Sequence, residues 1–188
     1  MEHRKAIIDR ILPASKYGCY FRLVELEDAE FILSLRNDPA LSKYLNKTSS
    51  KLEDQISWLK EYKKREQKGE DFYIITMSED GKTRYGLNRL YDITNEVYEF
   101  GSWLYSPVTS KDKAVLADLF CHSIAFEEFK IPLCKMSVRK KNTRVMRYAK
   151  SYEPTFLWED ELSEYFVYNY ETWNKRRMRL LKILGYEE

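Results

Sequence analysis

The sequence has little of what several large classes of protein require. Its three cysteines are an odd number without metal-ligand spacing. Reduced thiols in the cytoplasm are therefore expected rather than a disulfide framework, and no metal site is expected. No apolar run approaches the roughly 18 residues that a membrane span needs. The charged residues Glu2, Arg4, Lys5, Asp9 and Arg10 argue against an N-terminal secretory signal.

Positive and negative charges are nearly balanced. The 32 Lys and Arg residues and the 30 Asp and Glu residues leave a net charge of +2. The chain as a whole therefore has no strong attraction for nucleic acid, which is not expected as a partner. With 188 residues, of which 44% are hydrophobic, and without internal repeats, the chain is expected to form one soluble domain.

Strand and helix patterns alternate along the chain. Turn signals at 79–81 and 95–96 join three consecutive strands into an antiparallel meander. A long helix then allows the next strand to lie parallel to the third one through a right-handed crossover. We predict an α/β (α+β) fold with one mixed, mostly antiparallel central sheet flanked by helices. The predicted strands are 20–26, 71–78, 83–93, 97–105, 133–139, 155–159 and 164–170; the predicted helices are 27–36, one opened by a capping box at 50–53, 113–129, 142–150 and 173–184.

The stretch 97–129 organises the rest of the chain. Aromatic and β-branched residues predict a strand over 97–105, with Gly101 inside it, and residues 107–110 end that strand. Glycine inside a strand often marks the close approach of a ligand or a second backbone. The following helix, 113–129, would present free N–H groups and the positive end of its dipole, which together favour an anion.

This stretch resembles the core of the GNAT superfamily of acyl-CoA-dependent N-acetyltransferases. The segment EFGSWLYSP at 99–107, followed by a polar turn and a long apolar helix, is most similar to the branch that acetylates ribosomal proteins and amino sugars. The resemblance extends in the right order over about residues 20–160. Its other segments are Phe21-Arg22-Leu23, Leu35-Arg36-Asn37-Asp38-Pro39, Ile56-Ser57-Trp58-Leu59, Gly86-Leu87, and Leu133–Arg139 followed by Asn142.

The resemblance implies a site for acetyl-CoA. In this family a wedge opens where the fourth and fifth strands splay apart, and the pantetheine lies in it against free backbone groups of the fourth strand. The pyrophosphate rests on the N-terminus of the next helix, and an Asn at the following helix start helps to hold the pantetheine. Carried over to this chain, these positions are Trp103, Leu104 and Tyr105; Lys111, Asp112, Lys113, Ala114 and Val115; and Asn142.

The phosphate loop departs from the family pattern at Asp112. The family prefers glycine there, and a carboxylate would repel the pyrophosphate. One interpretation is a helix start that caps itself through residues 109–112 and no longer needs an anion. The other is that Lys111 and Lys113, which flank the aspartate, meet the phosphates.

The resemblance also implies the catalytic groups. Glu99 matches the position at which this branch often carries the carboxylate that helps to deprotonate the acceptor amine; the alternative is a strand glutamate paired with an arginine such as Arg89. Many members use a tyrosine seven residues after the Asn as the acid for the leaving thiolate. That position is Ala149 here, and its neighbour Tyr148 is either the replacement or a core aromatic.

Arg36 and Asn37 stand at the end of the predicted helix 27–36. The resemblance implies that this helix end lies near the acceptor side of the active site. They could hold a sugar hydroxyl, a phosphate or a carboxylate, or form a solvated helix end. The basic face of the C-terminal helix, from Lys175 to Lys182, is expected to be solvated, with an RNA contact as the alternative.

Three segments are predicted within one domain. Residues 1–19 form an N-terminal extension with a docked helix, residues 20–170 the GNAT-like domain, and residues 171–188 a basic amphipathic helix of the same domain. The expected function is transfer of an acetyl group from acetyl-CoA to a primary amine, of a nucleotide-linked amino sugar of surface-glycan synthesis or of a protein N-terminus. The alternative is a non-catalytic binding or assembly module with the same fold. A cytoplasmic protein, with a homodimer possible, is expected.

Overall fold

The computed structural model describes residues 3–186. Within this range, eight strands form a single sheet in the order β1-β2-β3-β4-β5-β6-β8-β7. The strands are β1 (Ala14–Lys16), β2 (Cys19–Leu23), β3 (Phe72–Ser78), β4 (Arg84–Tyr91), β5 (Val97–Tyr105), β6 (Leu133–Arg139), β7 (Thr155–Glu159) and β8 (Ser163–Asn169). The helices are α1 (Arg4–Ile11), α2 (Ala29–Asn37), α3 (Pro39–Ser42), α4 (Leu52–Gln67), α5 (Lys111–Ser123), α6 (Thr143–Lys150) and α7 (Tyr170–Ile183).

The sheet is antiparallel except where β5 pairs with β6. These two strands run parallel because α5 carries the chain back to the same end of the sheet between them. The predicted mixed sheet, mostly antiparallel and flanked by helices, is confirmed.

β5 and β6 separate after three residue pairs. Their pairing ends at Glu99 and Lys135, although β5 continues to Tyr105 and β6 to Arg139. The register between β4 and β5 also shifts there, and Ser102 takes a left-handed φ of 49°. A bulge of this kind bends a strand and redirects its side chains. The predicted splay therefore exists, and we call the gap beyond Glu99 and Lys135 the wedge.

Two apolar cores cover the two faces of the sheet. The larger core contains buried residues of α1, α5, α6 and α7, for example Ile8, Phe120 and Trp173. The smaller core lies under α2 and α4, where Ile32 and Leu59 pack. Among the described residues, no residue of β6, β7 or β8 belongs to the smaller core. The sheet face on the α2 and α4 side is therefore left without helical cover at that end.

The terminal helices pack on the larger core. Ile8 of α1 and Trp173 of α7 are both 0% exposed. The segments predicted at 1–19 and 171–188 include residues 1, 2, 187 and 188, which lie outside the described range.

Two local features differ from the prediction. Residues 13–18, for which no strand was predicted, contain β1. This strand turns into β2 through Tyr17 and Gly18, which both have the positive φ that a two-residue hairpin turn requires. A strand of three residues is too short to show a periodic pattern. The capping box expected at 50–53 does not form, because α4 begins one residue later than expected, with Lys51 rather than Ser50 at its N-cap and no side-chain cap.

Asp28 joins three elements at the start of α2. Its buried carboxylate accepts hydrogen bonds from Arg22 at 2.7 and 2.9 Å, from Arg84 at 3.0 Å and from the Glu25 N–H at 2.9 Å. Burial by itself raises the pKa of Asp28, but the hydrogen bonds from Arg22 and Glu25 and the nearby positive charges outweigh it, so the pKa lies below its ordinary value.

We expect Asp28→Asn to destabilise the fold by about 2 kcal/mol at pH 7, because the buried side chain loses its charged hydrogen bonds with Arg22 and Arg84. The pKa of the folded state lies below the unfolded value of about 3.9. The contribution of Asp28 is therefore present above pH ~4 and is lost as the pH falls through the folded pKa. Urea unfolding at pH 7 and pH 3 measures both effects. Asp9→Asn, which removes an exposed i,i+4 pair with Lys5, is the control and should change little.

Candidate active site

The outer edge of β5 borders the wedge. Beyond Glu99, no described strand pairs with this edge, so the backbone groups of residues 103–105 on that side remain available. The side chains of these residues hold the edge in place. Trp103 Nε1 donates to the Ala114 carbonyl at 3.2 Å, Leu104 is buried in the smaller core, and the Tyr105 hydroxyl bonds with Thr76 at 2.8 Å and with Asn88.

The N-terminus of α5 lies next to this edge. Ser110 caps the helix by accepting the Lys113 N–H at 3.3 Å, and its carbonyl accepts the Ala114 N–H. The N–H groups of Lys111 and Asp112 have no partner among residues 3–186. Two exposed N–H groups at a helix start are suited to a phosphate, so the self-capping predicted for this turn satisfies only part of it.

The two lysines of the turn differ in their contacts. The Lys113 ammonium donates to the carbonyls of Tyr17 and Gly18 in the β1–β2 turn, at 3.2 Å for Gly18. Lys111 is exposed, as is Asp112. Lys111 is therefore the lysine of this pair that is left to meet a phosphate, while Val115 packs half-buried against the larger core.

Asn142 stands at the start of α6, on the other side of the wedge. Its Oδ1 accepts the Val145 N–H at 3.2 Å and so caps the helix. The amide NH₂ group of Asn142 remains as a donor. The strand edge, the helix N-terminus and this amide are the kinds of group that the pantetheine and pyrophosphate of acetyl-CoA need, so the residues fit the molecule.

We expect Asp112→Gly to tighten binding of acetyl-CoA by about fivefold, because removing one like charge near the phosphates is worth about 1 kcal/mol at a solvated site. Titration calorimetry measures this. Asp112→Asn separates the effect of charge from that of backbone freedom. Looser binding by the glycine variant would mean that the carboxylate supports the loop.

Glu99 lies on the sheet face opposite α5, at the closed end of the wedge. Its carboxylate accepts a hydrogen bond from Lys135 Nζ at 2.8 Å, and this bond raises the pKa of Lys135. Tyr91 also interacts with Glu99; burial, followed by the Glu99 charge, raises the pKa of the Tyr91 hydroxyl. The suggested pairing of Glu99 with Arg89 is wrong, because Arg89 is bound by Asp71.

Gly101 permits the close position of Tyr91. A Cβ at residue 101 would lie 3.1 Å from Tyr91 Cε1 and 3.2 Å from its hydroxyl oxygen. A side chain at this position would therefore push the phenol away from the strand. The glycine noted in the sequence thus accommodates a close neighbour, which is the ring of Tyr91.

Two adjoining cavities, of about 430 and 440 Å³, lie on the same face as Glu99. Both are lined by Arg36, Asn46, Arg89 and Ser102, and we call them together the arginine groove. One cavity extends under α4 to Trp58. The other extends along the wedge past Tyr91 and Gly101 to residues of β6 and β8.

Two arginines of the groove donate hydrogen bonds only to neutral groups. Arg36 donates to Thr48 Oγ1 at 3.1 Å and to the Asn46 carbonyl at 3.3 Å, and Arg139 donates to Asn46 Oδ1 at 2.7 Å. Within residues 3–186, neither forms a salt bridge with a carboxylate. Asn37, also predicted at the acceptor side, is exposed at the end of α2 and lines neither cavity.

Arg139 was not identified from the sequence. The pattern that could have revealed it is strand alternation, because Lys135, Ser137 and Arg139 share one face of β6. The neighbour of Glu99 in the parallel register is Lys135, and Arg139 follows it four residues later along the wedge.

Tyr148 is half-buried below the wedge. Its ring lies 4.8 Å from that of Trp103, and its hydroxyl donates to Asp118 Oδ2 at 2.7 Å. Burial, followed by the negative charge of Asp118, raises the pKa of Tyr148 well above its ordinary value. The hydroxyl proton is thus directed to Asp118. Ala149, at the family's tyrosine position, is buried.

A buried polar network continues from Asp118. Tyr152 donates to the same carboxylate oxygen at 2.9 Å. His122, one turn along α5, bonds with Tyr98 at 2.6 Å and with Tyr168 at 3.0 Å. His122 therefore has a structural role in the core, in a polar network that the sequence did not predict.

Comparison with known proteins shows the family. The acetyltransferase (GNAT) domain family matches residues 19–153. No curated protein is significantly similar to this sequence. Among solved structures, FdhC, described as a nucleotide-linked sugar GNAT, is 29% identical with a TM-score of 0.79, over 89% of this chain and 96% of that one.

Two further structures share the fold at lower identity. A spermidine N-acetyltransferase SpeG variant from Vibrio cholerae is 12% identical with a TM-score of 0.69, over 86% of this chain and 99% of that one. The N-acetyltransferase PseH from Campylobacter jejuni is 17% identical with a TM-score of 0.60, over 81% and 99%.

The chain belongs to the GNAT superfamily and has its fold. It is an acyl-CoA-dependent N-acetyltransferase, and this assignment favours the enzyme over the non-catalytic module. In the described part of the chain, no cluster of three or more His, Cys, Asp or Glu side chains could hold a metal ion. No helix between residues 3 and 186 is both long and apolar enough to cross a bilayer.

Proposed function

We propose that the enzyme acetylates the primary amine of a nucleotide-linked amino sugar. The observation that carries this proposal is the arginine groove, in which Arg36 and Arg139 both donate to Asn46 and are hydrogen-bonded only to neutral groups. Guanidinium groups that form no salt bridge are available to an anion, and they suit phosphate in particular. The diphosphate of a nucleotide-linked sugar has that charge.

The charge of the groove argues against a polyamine acceptor. A polycationic substrate needs several carboxylates, but Asp54 is the one acid among the residues that line the groove, and it accepts a hydrogen bond from Ser49. A protein N-terminus has no diphosphate for the arginines. The similarity to FdhC, a nucleotide-linked sugar GNAT, supports the same acceptor class.

The proposed reaction is direct attack of the acceptor amine in a ternary complex. Acetyl-CoA supplies the acetyl group as a thioester. The backbone of residues 103–105, the N-terminus of α5 at residues 111–115 and the amide of Asn142 hold it. Glu99 accepts the proton of the amine, directly or through water. Arg36 and Arg139 hold the anionic part of the acceptor, so that proximity supplies much of the rate.

Tyr148 is proposed as the acid that protonates the leaving thiolate. In that role the thiolate has to compete with Asp118 for the Tyr148 hydroxyl proton. Its hydroxyl donates to that carboxylate, so it would have to exchange this bond for the sulfur. A packing role under Trp103 is the alternative. Asn37 is retained as a proposed contact at the outer end of the acceptor side.

The test is an acceptor panel with acetyl-CoA, read by release of the CoA thiol. UDP- and dTDP-linked amino sugars are compared with the free amino sugars, spermidine and a short peptide with a free N-terminus. We expect the nucleotide-linked amines to have the highest kcat/KM. Preferred acetylation of spermidine or of the peptide would overturn the proposed acceptor class.

We also propose that the protein acts in the cytoplasm. All three cysteines are buried and unpaired, as suits a reducing compartment such as the cytoplasm. A homodimer stays a prediction.

A further inference from the structure

We infer that Trp158 and Tyr165, on the hairpin of β7 and β8, form the stacking platform for the nucleobase of the acceptor, beside the arginine groove. The inference rests on the proposed function, because it assigns the nucleoside half of the same substrate. The arginine groove binds the anionic part of the substrate, and the nucleobase needs an aromatic surface beside it.

The two rings form a flat pair at the edge of the groove. Trp158 and Tyr165 are register partners, their ring centroids are 3.7 Å apart and their planes differ by 10°. The Tyr165 hydroxyl donates to Asp160 at 2.9 Å, and this bond holds the Tyr165 ring in place. Trp158 is 48% exposed, and Tyr165 is the only aromatic ring paired with it among the described residues.

Register and bulge bring the platform to the groove. Tyr165 lines the cavity of the arginine groove that extends along the wedge, together with Ser137, Arg139 and Ser163. The pairing of β7 with β8 shifts between Phe156 and Trp158, which places the Trp158 ring on the same face as Tyr165. From β6 to β7 the sheet spans two strand spacings, about 10 Å, a separation suited to a nucleoside diphosphate with its phosphates at Arg139.

Trp58, at the other end of the groove, is less suited to a base. The Arg89 guanidinium lies 5.0 Å from its ring and that of Arg65 5.5 Å, and Tyr62 stacks at 5.9 Å. Its faces therefore already have neighbours. Trp158 has one face on Tyr165 and lies on the sheet end that no helix covers, so an aromatic base can add to the stack.

The test measures binding to the full chain by calorimetry, with UDP, dTDP and inorganic pyrophosphate as probes. We expect Trp158→Ala to weaken the binding of both nucleoside diphosphates by roughly tenfold or more and to leave the binding of pyrophosphate unchanged. Trp158→Phe should restore most of the affinity. The matched control is Phe156→Ala, which removes a ring that is 52% exposed on the same strand but packs toward Phe166 on the other face.

The platform is overturned if wild-type protein binds UDP and dTDP no better than pyrophosphate, or if Phe156→Ala and Trp158→Ala have equal effects. Its failure is distinguishable from failure of the proposed function. Acetylation of a nucleotide-linked amine with unchanged KM in Trp158→Ala would reject the platform alone. Nucleotide binding through Trp158 without acetylation of any such amine would support the platform and reject the proposed reaction.

Discussion

Glu99→Gln is expected to lower kcat by roughly 10²–10⁴-fold, the usual contribution of a positioned general base, while acetyl-CoA binding stays nearly unchanged. Glutamine keeps the shape of the side chain and can still accept the bond from Lys135, which lies at 2.8 Å, but it cannot take the proton of the amine. Steady-state kinetics with a nucleotide-linked amino sugar, together with calorimetry for acetyl-CoA, separates these quantities.

Glu164→Gln is the matched control for Glu99. Glu164 is a strand glutamate with a side chain 22% exposed, compared with 21% for Glu99, and it is also paired with a lysine, Lys150 at 3.0 Å. It lies on the other face of the sheet, so its replacement should leave kcat unchanged. Equal kcat in wild type and Glu99→Gln would remove Glu99 as the base, and a large loss of acetyl-CoA binding would indicate a structural role.

Arg139→Gln is expected to raise KM for a nucleotide-linked amine by roughly 10- to 150-fold. A hydrogen bond to a charged group contributes about 1.5–3 kcal/mol, and at this site it would be made with a diphosphate. The effect on acetyl-CoA binding should be small, because the proposed pyrophosphate site of that molecule is at α5. Raised ionic strength should weaken acceptor binding less in the variant than in wild type.

Lys150→Gln controls for the loss of one positive charge. Lys150 pairs with Glu164 on the far side of the sheet, so KM should not change. Arg139→Lys keeps the charge but removes the paired N–H donors with which a guanidinium binds a phosphate in a bidentate manner, and an intermediate KM is expected. If Arg139→Gln and Lys150→Gln have the same KM as wild type, the groove does not bind the diphosphate.

Most of the elements could be predicted from the sequence because their signals are local. The strand, turn and helix between 97 and 129 show the alternation, breaker residues and helical spacing that the structure contains. β1 was missed because a strand of three residues shows no period, and the capping box at 50–53 was wrong because α4 has its N-cap at Lys51 instead of Ser50. Neither error affects the order of the strands.

The site was only partly predictable. Residues along the strand edge and the helix start could be located through the family's motifs, since these motifs are contiguous in sequence. Trp158 and Tyr165 belong to no such motif, and Arg139 lies in the matched segment 133–139 only as its last residue, without an implied role. Their proximity to the groove depends on how β6, β8 and β7 pair, which a single sequence does not specify.

The sequence by itself thus determined the element types and the fold class, because hydrophobic periodicity and turn chemistry act over a few residues, and it indicated the family through motifs that are contiguous in the chain. The tertiary structure decided which charges meet. Glu99 pairs with Lys135 rather than Arg89, and Asn46 binds both Arg36 and, 93 residues further along the chain than Asn46, Arg139. The physical reason is register: one step along a strand turns a side chain to the other face of the sheet, and only the folded pairing of β5 with β6 sets that step.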